Sequence, residues 1–288
     1  MAKTPKSVVL GNALRQARLG RDWKLREFAF RLNKDPAILS RWETGERTPA
    51  PDQVARILTV LGVEGDEYEN IMTLAFGTHD PQWMPTTLPE QRQQMAAYVE
   101  FEENATAITE VSPLLVPGPL QTPDYISAMM SRDDIAAEEI PARVHTRINR
   151  QHILDRQTPP QLTAFIGQGA LYQNIGGRQT MTAQLRHLVG MASRPRIHLH
   201  LIPFGAGWHP GLESTFTLID SSQINTVAFV GTRRTTLWLH QDYDVNAYKR
   251  AVEKVRQVSM SPDDSARFIH ELANRMETTT DVPPANLA

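Results

Sequence analysis

The stretch from Lys24 to Thr48, KLREFAFRLNKDPAILSRWETGERT, limits the possible folds of this chain more than any other. Leu25, Phe28, Ala29 and Leu32 recur at i, i+3, i+4 and i+7, the spacing of one helix face. Asn33 stands where a left-handed residue would close that helix, a conformation Asn tolerates better than most side chains. Asp35 and Pro36 mark a second start: a carboxylate for the free amides, then a proline whose missing N–H costs nothing at the first helical position. The second helix buries Leu39 and Trp42 and stops at Gly45. Two apolar faces this short cannot hold each other, so both flanks must supply neighbours.

They do. Upstream, Leu10, Leu14, Ala17 and Leu19 form a helical stripe, with Arg15, Arg18 and Arg21 assigned to other faces. Downstream, Pro51 and Asp52 open a helix carrying Val54, Ile57, Leu58 and Leu61, which Gly62 ends. A fifth helix, from Asp66 to about Phe76, offers Tyr68, Ile71, Met72 and Ala75. Five short helices around one core, the second and third forming a helix-turn-helix, resemble the XRE-type, lambda-repressor-like transcriptional regulators over the first quarter of the chain. The resemblance implies a module that reads double-stranded DNA.

The polar residues of the helix pair then take roles. Ala37, Ser40, Arg41 and Thr44 point away from Leu39 and Trp42 and are the expected base-facing set. Arg41 offers a fork to a guanine edge or a charge to a phosphate. Lys24, Arg26, Arg47 and Thr48 bracket the pair and suit phosphates, which fix register without specifying sequence. The family's second helix often begins with a glutamine that buttresses base contacts, and here Leu25 stands in its place. The alternative, a solvated face of an ordinary bundle, is disfavoured because charge agrees with motif. Residues 1–60 hold 12 basic and 6 acidic side chains, net +6, while the remaining 18 and 26 give −8. A basic head on an acidic body puts the phosphate-attracting field at the helix-turn-helix.

A chain of 288 residues suits a small and a larger domain, and 41% hydrophobic content suffices for ordinary cores. No apolar run approaches a membrane span, and MAKTPKSVVL has too short an apolar region for a signal peptide. The absence of cysteine excludes disulfides, thiolate metal sites and thiol catalysis. The expected location is cytoplasmic and nucleoid-associated, with no membrane partner.

The pattern predicts a multidomain protein: an all-α five-helix head over 1–76, a Pro-rich linker over 77–89, a mixed α/β (α+β) domain over 90–276 and a disordered tail over 277–288. In the linker, Trp83 and Met84 are too apolar for a free tether and suggest docking. A helix is expected from Glu90 to about Thr109, with Glu100, Glu102 and Glu103 on a solvated face. Pro113, Pro117, Pro119 and Pro123 force turns before a helix at 124–130, and another helix is expected over 134–156. Its Arg143, Arg147 and Arg150 form a row that suits an anionic ligand or acidic partner, although carboxylate neighbours usually satisfy such rows. Strands are expected at 162–166, 197–202, 214–219, 226–230 and 235–240, with helices at 180–192, 245–259 and 262–276. Ser261 and Asp264 form a capping-box-like start to the last.

VPGPLQTPDY, RINRQHIL, QLRHLVGMASRPRIHLHLIPFGAGWHPGLESTFTLID and SPDDSARFIHELA resemble, in order, the domain following the helix-turn-helix in actinobacterial WhiJ-like and antitoxin-like regulators. That resemblance implies a transcriptional regulator, sometimes encoded beside a small partner protein that binds this domain. Where relatives commonly carry acidic residues, this chain has Gly167, Gln168 and Gly231.

Other chemistry is weakly represented. His198 and His200 lie two apart on a strand and share a face, with His209 nearby, but no metal motif accompanies them. Gly167-Gln168-Gly169 and Gly176-Gly177-Arg178 lack the spacing of a phosphate loop. Asp242 and Asp244 flank a helix start, where caps are commoner than catalytic pairs. No catalytic residue, metal ligand or cofactor is assigned. Arg143, Arg147, Arg150, Gln168, His198 and His200 are the candidate ligand- or partner-binding residues of the second domain. The leading expectation is a homodimeric, sequence-specific regulator bound to a double-stranded operator. The alternatives are an antitoxin-like protein sequestering a small partner, and a ligand-binding or catalytic domain fused to a DNA head.

Overall fold

The computed structural model describes residues 4–278 apart from 79, 81, 86, 87, 134, 222–224, 233 and 234. Two compact units emerge, and they do not follow chain order: Met1–Phe101 with Ser221–Val245, and Glu102–Asp220 with Asn246–Ala288. Of the expected tail, 277 and 278 extend the last helix, and 279–288 lie outside the described residues.

The first unit opens with five helices: α1 (Pro5–Leu19), α2 (Leu25–Arg31), α3 (Pro36–Glu43), α4 (Pro51–Leu61) and α5 (Gly65–Ala75). Thr4 and Ser7 start α1 reciprocally, each backbone N–H donating to the other's hydroxyl. Leu10, Leu14, Phe28, Ala29, Leu39, Val54, Ile57 and Leu58 are buried together as one core. Leu19, expected in the α1 stripe, is instead largely exposed, because the helix ends there and the chain turns away at Gly20. Gly62 ends α4 in the left-handed conformation, as its position predicts.

Beyond the head, β1 (Gln82–Trp83) pairs antiparallel with β7 (Thr236–Leu239), which pairs antiparallel with β6 (Val227–Gly231). An aromatic cluster covers this ribbon. Trp238 meets Trp83, Phe229 and Phe101 at ring-centroid distances of 4.9, 4.7 and 5.2 Å, all edge-on. Trp83 is therefore docked, while its neighbour Met84 stays exposed. Helix α6 (Leu88–Glu103) supplies Tyr98 and Phe101, and its Gln94 amide donates to Trp83 O and Thr236 O. Three hydrogen bonds tie the five-helix head to Thr78 and to α6: Thr4 Oγ1 to Thr78 O, Gln93 Nε2 to Asn70 O, and Asn12 Nδ2 to Glu100 Oε2.

In the second unit β2 (Ala105–Ser112), β3 (Gln161–Gly167) and β4 (Ile197–Ile202) run parallel, with Ser112 opposite Ile166 and Gly167 opposite Ile202. Parallel pairing requires helical crossovers. They are α7 (Pro123–Met130) with α8 (Ile140–Gln151) between β2 and β3, and α9 (Gly177–Ala192) between β3 and β4. Leu162 to Gly167 are all buried, as expected of a strand covered on both faces. In β5 (Phe216–Ser221), Asp220 O accepts from Thr106 Oγ1 at the start of β2. Helices α10 (Asp242–Val258) and α11 (Pro262–Thr278) close the chain, and Ser261 Oγ accepts the Asp264 amide at the start of α11, as expected. Ser265, fully buried on α11, accepts the Leu201 amide of β4.

Three further expectations are corrected. The helix predicted to reach Thr109 stops at Glu103, and β2 begins at Ala105. Ala105 and Ile108 fit helical spacing, but Ile108, Thr109 and Val111 are β-branched and lie among the six residues, 107–112, that pair along β3. Glu102, read as solvated, is buried because it receives Arg150. The helix predicted over 134–156 is shorter, α8 occupying 140–151.

Gly11 shows how closely the head is packed. A Cβ there would lie 2.4 Å from Trp42 O and 2.8 Å from Glu43 O, both backbone atoms at the end of α3. Gly11→Ala should therefore lower stability by about 1–3 kcal/mol. Gly190→Ala, with open space around the same atom on α9, should raise it by up to about 1 kcal/mol. Denaturant midpoints of the two variants measure the contrast.

Candidate nucleic-acid interface

The turn between α2 and α3 is built as its sequence dictates. Asn33 adopts φ 53°, and Lys34 N–H returns to Ala29 O, closing α2. Asp35 accepts the Ala37 amide at 2.7 Å and Pro36 opens α3. Leu39 and Trp42 face inward. Ala37, Arg41 and Thr44 form an exposed stripe at i, i+4 and i+7, with Ser40 half-buried beside them. Past Gly45, which adopts φ 71°, the Arg47 amide donates to Arg41 O, so Arg47 returns beside the end of α3. Lys24, Arg26 and Arg47 are exposed and Thr48 is half-buried.

One interaction that the sequence reading missed orients α3. Arg18, assigned to an outer face of α1, is buried and grips Glu43 through Nε to Oε1 at 2.6 Å and Nη2 to Oε2 at 2.8 Å. Its other amino group donates to Trp23 O ahead of α2. A single guanidinium thus fastens the last turn of α3 and the entry to α2 onto α1. The signal was present: Arg18 continues the Gly11 and Leu14 positions at i+7 and i+4. Lys34, with its Nζ 5.9 Å from the Trp42 ring centroid, is a further cation at the turn.

Five of the six candidates in the second unit are engaged by different neighbours. Arg143 pairs with Glu139 on the surface at 2.8 Å. Arg147 donates to Gln121, and Arg150 grips Glu102 through two bonds of 2.8 and 2.9 Å. His200 stacks on Phe165 at 4.9 Å, with Nδ1 2.9 Å from Met260 O, and His198 is half-buried on the same strand. Burial holds the His200 imidazole below its usual pKa. Gln168 Oε1 accepts the Phe204 amide. At Gly167 a Cβ would stand 2.1 Å from Pro113 O, so no side chain fits there, whereas Gly231 is open. Among the described residues no group of three or more His, Asp and Glu is placed to hold a metal, and no helix is long and apolar enough to cross a membrane.

Behind α8 lies a charge cluster. Burial, then Glu102, pushes the Glu110 carboxyl up to about 7, while Arg150, Arg147 and the Gly118 amide pull it down.

A family model described as a helix-turn-helix matches residues 14–68. A second, described as a domain of unknown function (DUF5753), matches residues 95–271. No curated protein and no solved structure matches. The helix-turn-helix match supports a DNA-binding regulator of transcription.

Two outcomes are expected. Arg18→Ala strands a buried carboxylate and should cost about 3–5 kcal/mol, whereas Arg18→Met with Glu43→Leu should recover most of it in urea unfolding. Because the folded Glu110 holds its proton above the unfolded value, the folded state binds more protons between pH 4.5 and about 7, and stability falls as pH rises through that window. Glu110→Gln should flatten that slope in unfolding curves taken across it. With its second and larger part matched over more than half of its length, the chain belongs to the family of the domain of unknown function DUF5753, joined here to a helix-turn-helix head.

Proposed function

We propose that the protein is a sequence-specific operator-binding regulator that acts as a homodimer, with α3 entering the major groove. The observation that carries this reading is the exposed stripe Ala37, Arg41 and Thr44 on a helix whose opposite face is fully buried. Arg41 reads a base edge, with Ser40 and Ala37 beside it, and Lys24, Arg26, Arg47 and Thr48 hold phosphates on either side. The net +6 of residues 1–60 supports approach to a polyanion, and the net −8 of the remainder confines that approach to the head. Two heads are needed because one short helix pair covers a single half-site of modest affinity. The DUF5753 domain sets how the heads are presented, and a ligand or partner that prefers one arrangement shifts that equilibrium.

Arg41→Ala and Lys24→Ala separate the two kinds of contact on a genomic duplex retained by the full chain. Arg41→Ala should weaken binding by about 1–3 kcal/mol and reduce preference for that duplex over a scrambled one. Lys24→Ala should weaken both duplexes alike and lower the salt slope by about 1. Unchanged discrimination in Arg41→Ala, measured by fluorescence anisotropy, would remove α3 as the reading element.

A further inference from the structure

Half of the twelve large apolar side chains that are strongly exposed among the described residues come from three loops at one edge of one sheet. Leu114 and Leu115 come after β2, Tyr172 after β3, and Phe204, Trp208 and Leu212 after β4, at exposures between 41 and 68%. Parallel pairing brings the carboxyl ends of these strands level, so their loops share one rim. The loops also touch. Gln168 accepts the Phe204 amide, the Tyr172 and Phe204 rings lie 6.0 Å apart, and a Cβ on Gly211 would meet Val111 and His209. His209 is buried in this loop and its Nδ1 has no hydrogen-bond partner.

The rim differs chemically from the rest of the unit. Segments 113–122, 168–176 and 203–212 contain no Lys, Arg, Asp or Glu. At the stated exposures the six side chains present on the order of 700 Å², above the patch of a few hundred Å² usual on a monomer and near what each partner contributes to a standard interface. Charge chooses the occupant. Residues 61–288 carry net −8, so two copies repel through most of their surfaces and meet with least cost where neither bears charge. An isologous contact asks a patch only to complement itself, which an uncharged aromatic rim does without a charged counterpart.

We infer that this rim is the homodimer interface, a second copy of the chain docking Phe204 and Trp208 against the same loops. The inference rests on the proposed two-headed regulator and names the surface that joins the heads.

Sedimentation velocity on the full chain tests it, with Phe204→Glu and Trp208→Glu together as the probe and Phe30→Glu, exposed on α2, as the control. The wild type and Phe30→Glu should sediment as dimers at micromolar concentration. The rim variant should be a folded monomer with an unchanged far-ultraviolet circular dichroism spectrum, its dimer dissociation constant raised at least 100-fold. A wild-type monomer, a rim variant that stays dimeric, or loss of the dimer in Phe30→Glu alone would overturn the assignment. So would a wild type that is monomeric until a small protein binds the rim. DNA binding is scored separately. If the rim variant loses the dimer but no form binds a preferred duplex, the interface stands and the operator reading falls.

Discussion

The buried pair between Arg18 and Glu43 is the contact on which the head depends. Helix α3 is eight residues long, too short to hold its own conformation or direction. Its inner face is fixed by Leu39 and Trp42, but hydrophobic contact is not directional and leaves the helix free to roll. A guanidinium that bonds both carboxylate oxygens removes that freedom, and Gly11 permits it by letting α1 approach the α3 carbonyls without a side chain between. With the roll fixed, the stripe of Ala37, Arg41 and Thr44 faces outward as a set. The pair's value is therefore orientation more than net stability, since an apolar replacement of both partners would fold about as well.

The head was legible because its signals are local. Asn33, Asp35, Pro36, Gly45 and Gly62 each impose a backbone conformation or a cap within a few residues, and each holds in the structure. Arg18 was not legible by the same route, since a charge is ordinarily assigned to solvent and its partner lies 25 residues away. The strand at 105–112 was missed for a related reason. Its pairing with β3 spans the whole of α7 and α8, and only that distant partner separates a short apolar run in a strand from one in a helix. Glu102 was misplaced because its partner, Arg150, is 48 residues on. The later strands fared better: β4 alternates visibly, and β3 is a short apolar run bounded by prolines and glycines. The uncharged rim could be read as composition, but only the parallel register shows that its three segments share an edge.

Within the second unit, ionic and aromatic contacts are divided by position. The arginines of α8 are absorbed by Glu139, Gln121 and Glu102, and His200 by Phe165 and Met260. Most of the residues that look like a ligand set in sequence are engaged by neighbouring segments of the fold. The large apolar side chains that stay exposed in this unit gather at the carboxyl ends of the parallel strands, where open α/β sheets commonly place their binding surfaces.

Selecting duplexes from a random pool with the full chain at physiological salt tests whether an oriented α3 reads sequence. Convergence on one motif with two inverted half-sites about one helical turn, or a multiple of it, apart is the expected result. Retention of unrelated sequences that all release together as salt rises would contradict it, because phosphate contacts alone would then explain the binding.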